Sequence, residues 1–153
     1  MAWQSFADDN PTNRWGVASC GIQMSLQFVV PVMAVETNQP VNLSILIKNV
    51  SNGTINYVET GILKDYYFDI TFPSGKMWST KEPILNNNTA ESRSTRQLQP
   101  GGSCELQFDF RSICDLTEIG TYKIVAKRNV PFPYRRDCVV VSSQLSLTVV
   151  SRR

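Results

Sequence analysis

The chain has 153 residues, 42% of them hydrophobic and 18% charged, with 15 lysines and arginines against 13 aspartates and glutamates. This is one domain's length, too apolar and too weakly charged for a disordered chain. The absence of histidine excludes serine–histidine and cysteine–histidine catalysis, imidazole proton shuttling and histidine-ligated zinc.

Residues 1–15 are expected to form a lead-in tail, because the first fourteen are rich in Asp, Asn and Pro. A single domain is expected over 16–151. From residue 20 the pattern has period two, the mark of half-buried strands. Cys20, Ile22, Met24, Leu26 and Phe28 alternate with Gly21, Gln23, Ser25 and Gln27. Val41, Leu43, Ile45 and Ile47 alternate with Asn42, Ser44 and Lys48, with Leu46 the outward exception. Asn49 to Gly53 reads as a turn ending in Asn-Gly. Tyr66, Phe68, Ile70 and Phe72 then alternate with Tyr67, Asp69 and Thr71, closed by Pro73-Ser74-Gly75.

The second half repeats the scheme. A polar loop runs through Asn86 to Glu91, and Ser92–Leu98 leads to Pro100-Gly101-Gly102. Cys104, Leu106, Phe108 and Phe110 face inward by parity, as do Tyr122, Ile124 and Ala126, and finally Leu145, Leu147 and Val149. Weaker strands are expected near Thr54–Glu59 and Lys76–Ser79, and a helical turn or two near Ser112–Ile119. Short strands at this spacing, without crossover helices, predict an all-β, two-sheet Greek-key sandwich of the immunoglobulin or fibronectin-III kind, with about seven to eight strands. Gly120 and Tyr122 at the entry to the penultimate strand match a tyrosine corner, in which the phenol bonds backbone a few residues upstream. Ile124 stands where an antibody-type domain carries its second cysteine.

Several motifs in this order resemble a known family: Pro40-Val41-Asn42-Leu43 with Ile47-Lys48-Asn49-Val50-Ser51, then Tyr67-Phe68-Asp69-Ile70 with Pro73-Ser74-Gly75-Lys76-Met77-Trp78, then Leu98-Gln99-Pro100-Gly101-Gly102-Ser103, then Gly120-Thr121-Tyr122. Over roughly residues 20–150 the chain resembles the bacterial intracellular proteinase inhibitor family and related immunoglobulin-like modules of secreted bacterial proteins. The resemblance implies the sandwich fold and raises proteinase inhibition as one function.

Of the candidate sites, Asn129 to Asp137 is the most suggestive. It links the last two strands at one end of the sandwich, where this architecture mounts binding loops. Pro131 and Pro133 stiffen it, and Phe132, Tyr134, Arg135 and Arg136 are interface-anchoring residue types. A partner protein is expected there; the competing reading is a stiff loop whose aromatic rings cap the core. Trp78, with Tyr66 and Tyr67, is a candidate aromatic platform for sugar rings, against the alternative of core or edge packing. Trp3 and Trp15 are placed to cover a sheet edge. Asp65 and Asp69 would share one strand face roughly 13 Å apart, too far for a retaining carboxylate pair at about 5 Å. No catalytic residue, metal ligand or cofactor is expected, and the chain is read as a non-enzymatic binding or accessory module.

The four cysteines show no Cys-x-x-Cys spacing. The first and last strands of a Greek-key sandwich run parallel at the seam between sheets, so Cys20 and Cys138 are the expected disulfide; four reduced core cysteines are the alternative. An even count in a β-rich chain leans towards an extracytoplasmic compartment over the cytoplasm. The charges split into five basic and eight acidic residues over positions 1–92 and ten basic and five acidic over 93–153. They fall at alternate strand positions, as on any solvated face, so nucleic acid is not expected as a partner. The most apolar run, Leu26 to Val35, is ten residues long and broken by Gln27 and Pro31, against about 20 for a helical membrane span. Met1-Ala2-Trp3-Gln4 lacks the basic start and apolar stretch of a leader.

Overall fold

The computed structural model describes residues 15–81, 94–131 and 137–152. The alternating segments form strands in two facing sheets. Strands β1 (Ile22–Phe28), β3 (Asn42–Asn49) and β8 (Ser103–Asp109) make one antiparallel sheet in the order β1-β3-β8. The other runs β2 (Val35–Glu36), β11 (Leu145–Val150), β9 (Gly120–Val130), β5 (Tyr66–Thr71), β6 (Met77–Ser79), and β10 (Cys138–Val141) pairs with the far half of β9. Strands β4 (Ile55–Glu59) and β7 (Ser94–Leu98) form a separate two-stranded ribbon. The all-β sandwich expected from the alternation is therefore what forms. Eleven strands are present among the described residues, more than seven to eight, because short edge pieces such as β2, β6 and β10 join the main ladders.

Register explains the core. Leu43 lies opposite both Phe28 and Phe108, and Ile45 opposite both Leu26 and Leu106, so one face of the first sheet is continuously apolar. In the second sheet Ile70 faces Ile124, Phe68 faces Ala126 and Tyr122 faces Leu147. The two faces meet at Phe68, whose ring lies 5.8 Å from Phe108 and 6.0 Å from Phe110. Leu43, Tyr122, Ile124 and Leu147 are all buried.

Between β1 and β2 the chain changes sheets, and β2 then runs parallel to β11 with Val35 opposite Val149. This is the expected seam of first and last strands. The last strand is itself divided. Ser142 interrupts it: its Oγ accepts from Ala126 N at 2.9 Å while its own amide donates to Ala126 O at 2.8 Å. A side-chain oxygen thus stands in for the ladder across the break.

Four local expectations are corrected. Cys20 does not begin the inward row; it is exposed, with φ 49°, in the turn that closes Ser19 onto Ile22. Ser44, expected outside, is buried, its Oγ donating to Glu105 Oε1 at 2.6 Å. Asp65 is on no strand. It ends a single helical turn, α1 (Ile62–Asp65), that its own carboxylate closes by accepting from Thr60 N and Gly61 N at 2.7 and 2.9 Å. The helical turn expected over Ser112–Ile119 forms earlier, as a 3₁₀ turn at Phe110–Ser112, because the Asp109 carboxylate caps Arg111 N.

The tyrosine corner is present. Tyr122 Oη accepts from Glu118 N at 2.8 Å and donates to Glu118 O at 3.2 Å. Gly120 beside it has φ +128°, and a Cβ there would meet Pro73 Cβ at 2.7 Å, so backbone freedom and close approach both require glycine. Trp15 lies where edge cover was expected: the amide of the following Gly16 donates to Met24 O on the open side of β1. Trp3 lies outside the described residues. No helix among the described residues is long and apolar enough to cross a membrane.

Candidate functional site

One end of the sandwich carries the disulfide. Cys20 and Cys138 are bonded, with Cα atoms 6.2 Å apart, as their strand positions predict. Cys104 and Cys114 are unbridged. Burial pushes both thiols up, Cys114 to about 11, so both are protonated and poorly nucleophilic at neutral pH. Of the expected contact segment, Pro131 is half-buried and its carbonyl accepts from Val58 N at 3.0 Å. Phe132, Pro133, Tyr134, Arg135 and Arg136 lie outside the described residues. The stem of this segment is defined: Val130 on β9 pairs with Cys138 on β10. Cys138 is in turn fastened to the turn that precedes β1.

A buried charged cluster supports this stem, and periodicity alone did not single it out. Arg128 is fully buried. Its guanidinium lies 4.9 Å from the Tyr57 ring centroid and 5.1 Å from that of Tyr66. Nη2 donates to Val58 O, and Nη1 sits 3.7 Å from Asp65 Oδ2. The signal was available: Arg128 continues the inward parity of Tyr122, Ile124 and Ala126, so a charge was being delivered to the core. The partners are chosen accordingly, two aromatic faces and a carboxylate. Burial pushes the Tyr66 phenol up to about 12, with Arg128 pulling the other way. Tyr57 is raised further, first by burial and then by the Cys104 sulfur 2.8 Å from its Oη. The Tyr57 and Tyr66 phenols and the Cys104 thiol are therefore held in their neutral forms at neutral pH. Asp65 Oδ2 is spent on Thr60 N, Gly61 N and the facing Arg128, which suits the cluster to structural support.

The paired carboxylates separate into different roles. Asp65 faces Arg128, and Asp69 Oδ2 pairs with Lys127 Nζ at 2.5 Å across β5 and β9 while its Oδ1 accepts from Ser79 Oγ. No group of three or more acidic or cysteine side chains capable of holding a metal occurs among the described residues.

The opposite end is more exposed than its sequence suggested. Val30, Val32 and Met33, in the connection from β1 to β2, are 68%, 42% and 99% exposed. Phe28, Val35 and Val41 line a small cavity of ≈ 110 Å³ beneath them. The aromatic platform is not assembled as grouped: Tyr66 is buried under Arg128, and Tyr67 points to the other face of β5. Trp78 alone remains, on the outermost strand β6 and 41% exposed. It lines a hollow of ≈ 570 Å³ against the segment Arg111–Thr117.

No family model and no curated protein sequence matches the chain. Solved structures are similar to most of it at low identity. A β-glucosidase from Listeria innocua in complex with glucose is 11% identical, with a TM-score of 0.44 over 84% of this chain and 16% of that one. A CARDB domain from Pyrococcus furiosus in complex with di-metal ions is 13% identical, with a TM-score of 0.40 over 88% of this chain and 94% of that one. The C-terminal domain of wzt is 10% identical, with a TM-score of 0.48 over 87% of this chain and 75% of that one. The chain thus spans a small part of the glucosidase and most of the other two.

Proposed function

We propose that residues 16–151 form a non-catalytic binding module, following a lead-in segment at 1–15. It engages another protein through loops at one end of the sandwich, with Pro131, Phe132, Pro133, Tyr134, Arg135 and Arg136 as the contact segment. The observation that supports this reading is the way both sides of that segment are held. The β9–β10 ladder, the Cys20–Cys138 bridge and the Val58–Pro131 hydrogen bond fix its stem, so the backbone on either side of the contact needs no ordering when it meets a partner. The disulfide also favours an oxidising, extracytoplasmic setting.

The test is a Phe132→Ala/Tyr134→Ala variant, used as bait beside the wild type, with the captured partner then purified and titrated by calorimetry. The expected result is at least a hundredfold loss of affinity, about 2.7 kcal/mol, with a melting temperature within 2 °C of wild type. A large fall in melting temperature would show instead that these rings belong to the core. Incubation with secreted serine proteases at micromolar concentration tests the inhibitor form of the same reading.

A second reading places the contact at the far end, favoured by the exposure of Val30, Val32 and Met33. A Val30→Ser/Met33→Ser bait separates the two, since only one pair of substitutions should abolish capture.

A further inference from the structure

The two sheets are unequal in width, and the mismatch leaves an unusual surface at β6. The second sheet runs five strands from β2 to β6, whereas the first has three. Trp78 lies directly opposite Ile70 and therefore shares its face, the one turned towards the core. Ile70 is covered and buried; Trp78, one strand further out, is 41% exposed. What faces it is the segment after β8, and between them lies the ≈ 570 Å³ hollow, with Phe72 and Lys76 on one side and Arg111, Asp115 and Thr117 on the other. Its volume falls within the range of small-ligand pockets.

The polar groups around the indole differ in availability. Arg111 is occupied, its guanidinium donating to Gln39 O and Glu36 O. Ser112 Oγ is committed to Asp109 O at 2.7 Å. Asp115 and Thr117 also line the hollow, and among the described residues neither side chain makes a hydrogen bond. The Lys76 ammonium lies 5.8 Å over the Phe72 ring. The open groups are thus one anion, one cation, one hydroxyl and a flat amphipathic ring. Arg111 keeps its positive charge, but its Nε and Nη2 are spent on backbone carbonyls, and the Asp115 carboxylate on the same wall opposes a phosphate. The free hydrogen-bonding groups would be left unpaired by a purely apolar ligand. We propose that this hollow binds a neutral saccharide chain, a sugar ring stacking its C–H face on Trp78 while its hydroxyls bond Asp115, Thr117 and Lys76.

This site is separate from the protein-contact segment at the other end, so either can fail without the other. The test is calorimetric titration of the full chain with cellohexaose, maltohexaose and N-acetylchitohexaose, and with a proline-rich decapeptide as the competing flat-ring ligand. At least one hexasaccharide is expected to bind with a Kd below about 1 mM and to change tryptophan emission. Trp78→Ala should weaken binding at least tenfold and Asp115→Ala at least threefold, each with melting within 2 °C of wild type. If Trp78→Ala does not fold, Trp78→Phe and Asp115→Ala carry the test. Silence from all three saccharides, binding by the decapeptide alone, or undiminished binding by the variants overturns the proposal.

Discussion

Replacing Arg128 by Met, Asp65 by Asn, and both together probes the buried cluster directly. Both side chains are essentially inaccessible, 1% and 0% exposed, with Nη1 and Oδ2 3.7 Å apart. At an effective dielectric near 20, opposite charges at this distance attract by about 4 kcal/mol, from which desolvation must be subtracted. Removing one partner leaves a buried charge uncompensated and costs about 3–5 kcal/mol. Arg128→Met also removes the donor to Val58 O and the cation between the two tyrosine rings. Asp65→Asn retains an oxygen for Thr60 N and Gly61 N, so α1 should persist in that variant. Each single substitution is expected to lower the melting temperature by about 10 °C at 2–4 °C per kcal/mol for a chain of this size. The double variant should be less destabilised than the sum by about 2–3 kcal/mol. Urea unfolding followed by circular dichroism supplies the four free energies. Because the pair is dry, 0.5 M salt should leave the coupling unchanged. Additivity within about 0.5 kcal/mol would refute the claim that these charges depend on each other.

Three further outcomes are expected. Tyr122→Phe deprives both backbone groups of Glu118 of their partner and should cost about 2 kcal/mol in urea unfolding; a change below about 0.5 kcal/mol would mean the corner is decorative. Alkylation of the unreduced, denatured chain should modify two thiols, Cys104 and Cys114, rising to four after reduction, as read by mass spectrometry. Burial raises Asp69, but Lys127 and Ser79 outweigh it and hold the carboxyl below its ordinary value. Its contribution is therefore present above the unfolded-state value and lost as pH falls through the lower folded one. Asp69→Asn should flatten stability in that acidic window by no more than about 1 kcal/mol, measured by thermal melts from pH 2 to 6.

Sheet parity was legible in the sequence because each main strand has one wet face. Leu43, Phe108, Ile124 and Leu147 needed no more than alternation to be placed. The corner was legible because Gly120 and Tyr122 carry distinct stereochemical demands, and the Cys20–Cys138 pairing followed from strand direction. Other features depend on tertiary partners that no local pattern announces. Arg128 sits on an inward row, yet its acceptability rests on Tyr57, Tyr66 and Asp65, contributed by three other elements. Val30, Val32 and Met33 read as part of an apolar run, but the chain changes sheets there and leaves them outside. The hollow at Trp78 arises from unequal sheet widths, a property of assembly that residue spacing does not encode. The last strand, expected to follow Asp137 without a break, is split into β10 and β11 because Ser142–Gln144 interrupts the ladder between two apolar stretches.

The bridge joins residues 118 apart in sequence and so decides which parts of the chain would carry tension. A pull applied upstream of Cys20 and downstream of Cys138 is transmitted through the sulfurs. The intervening loop, which contains strands β1 to β9, bears no load while the bond stands. Only the final β10–β11 segment can be peeled away. Reduction would place the whole sandwich in series with the force, giving a longer extension on the same molecule.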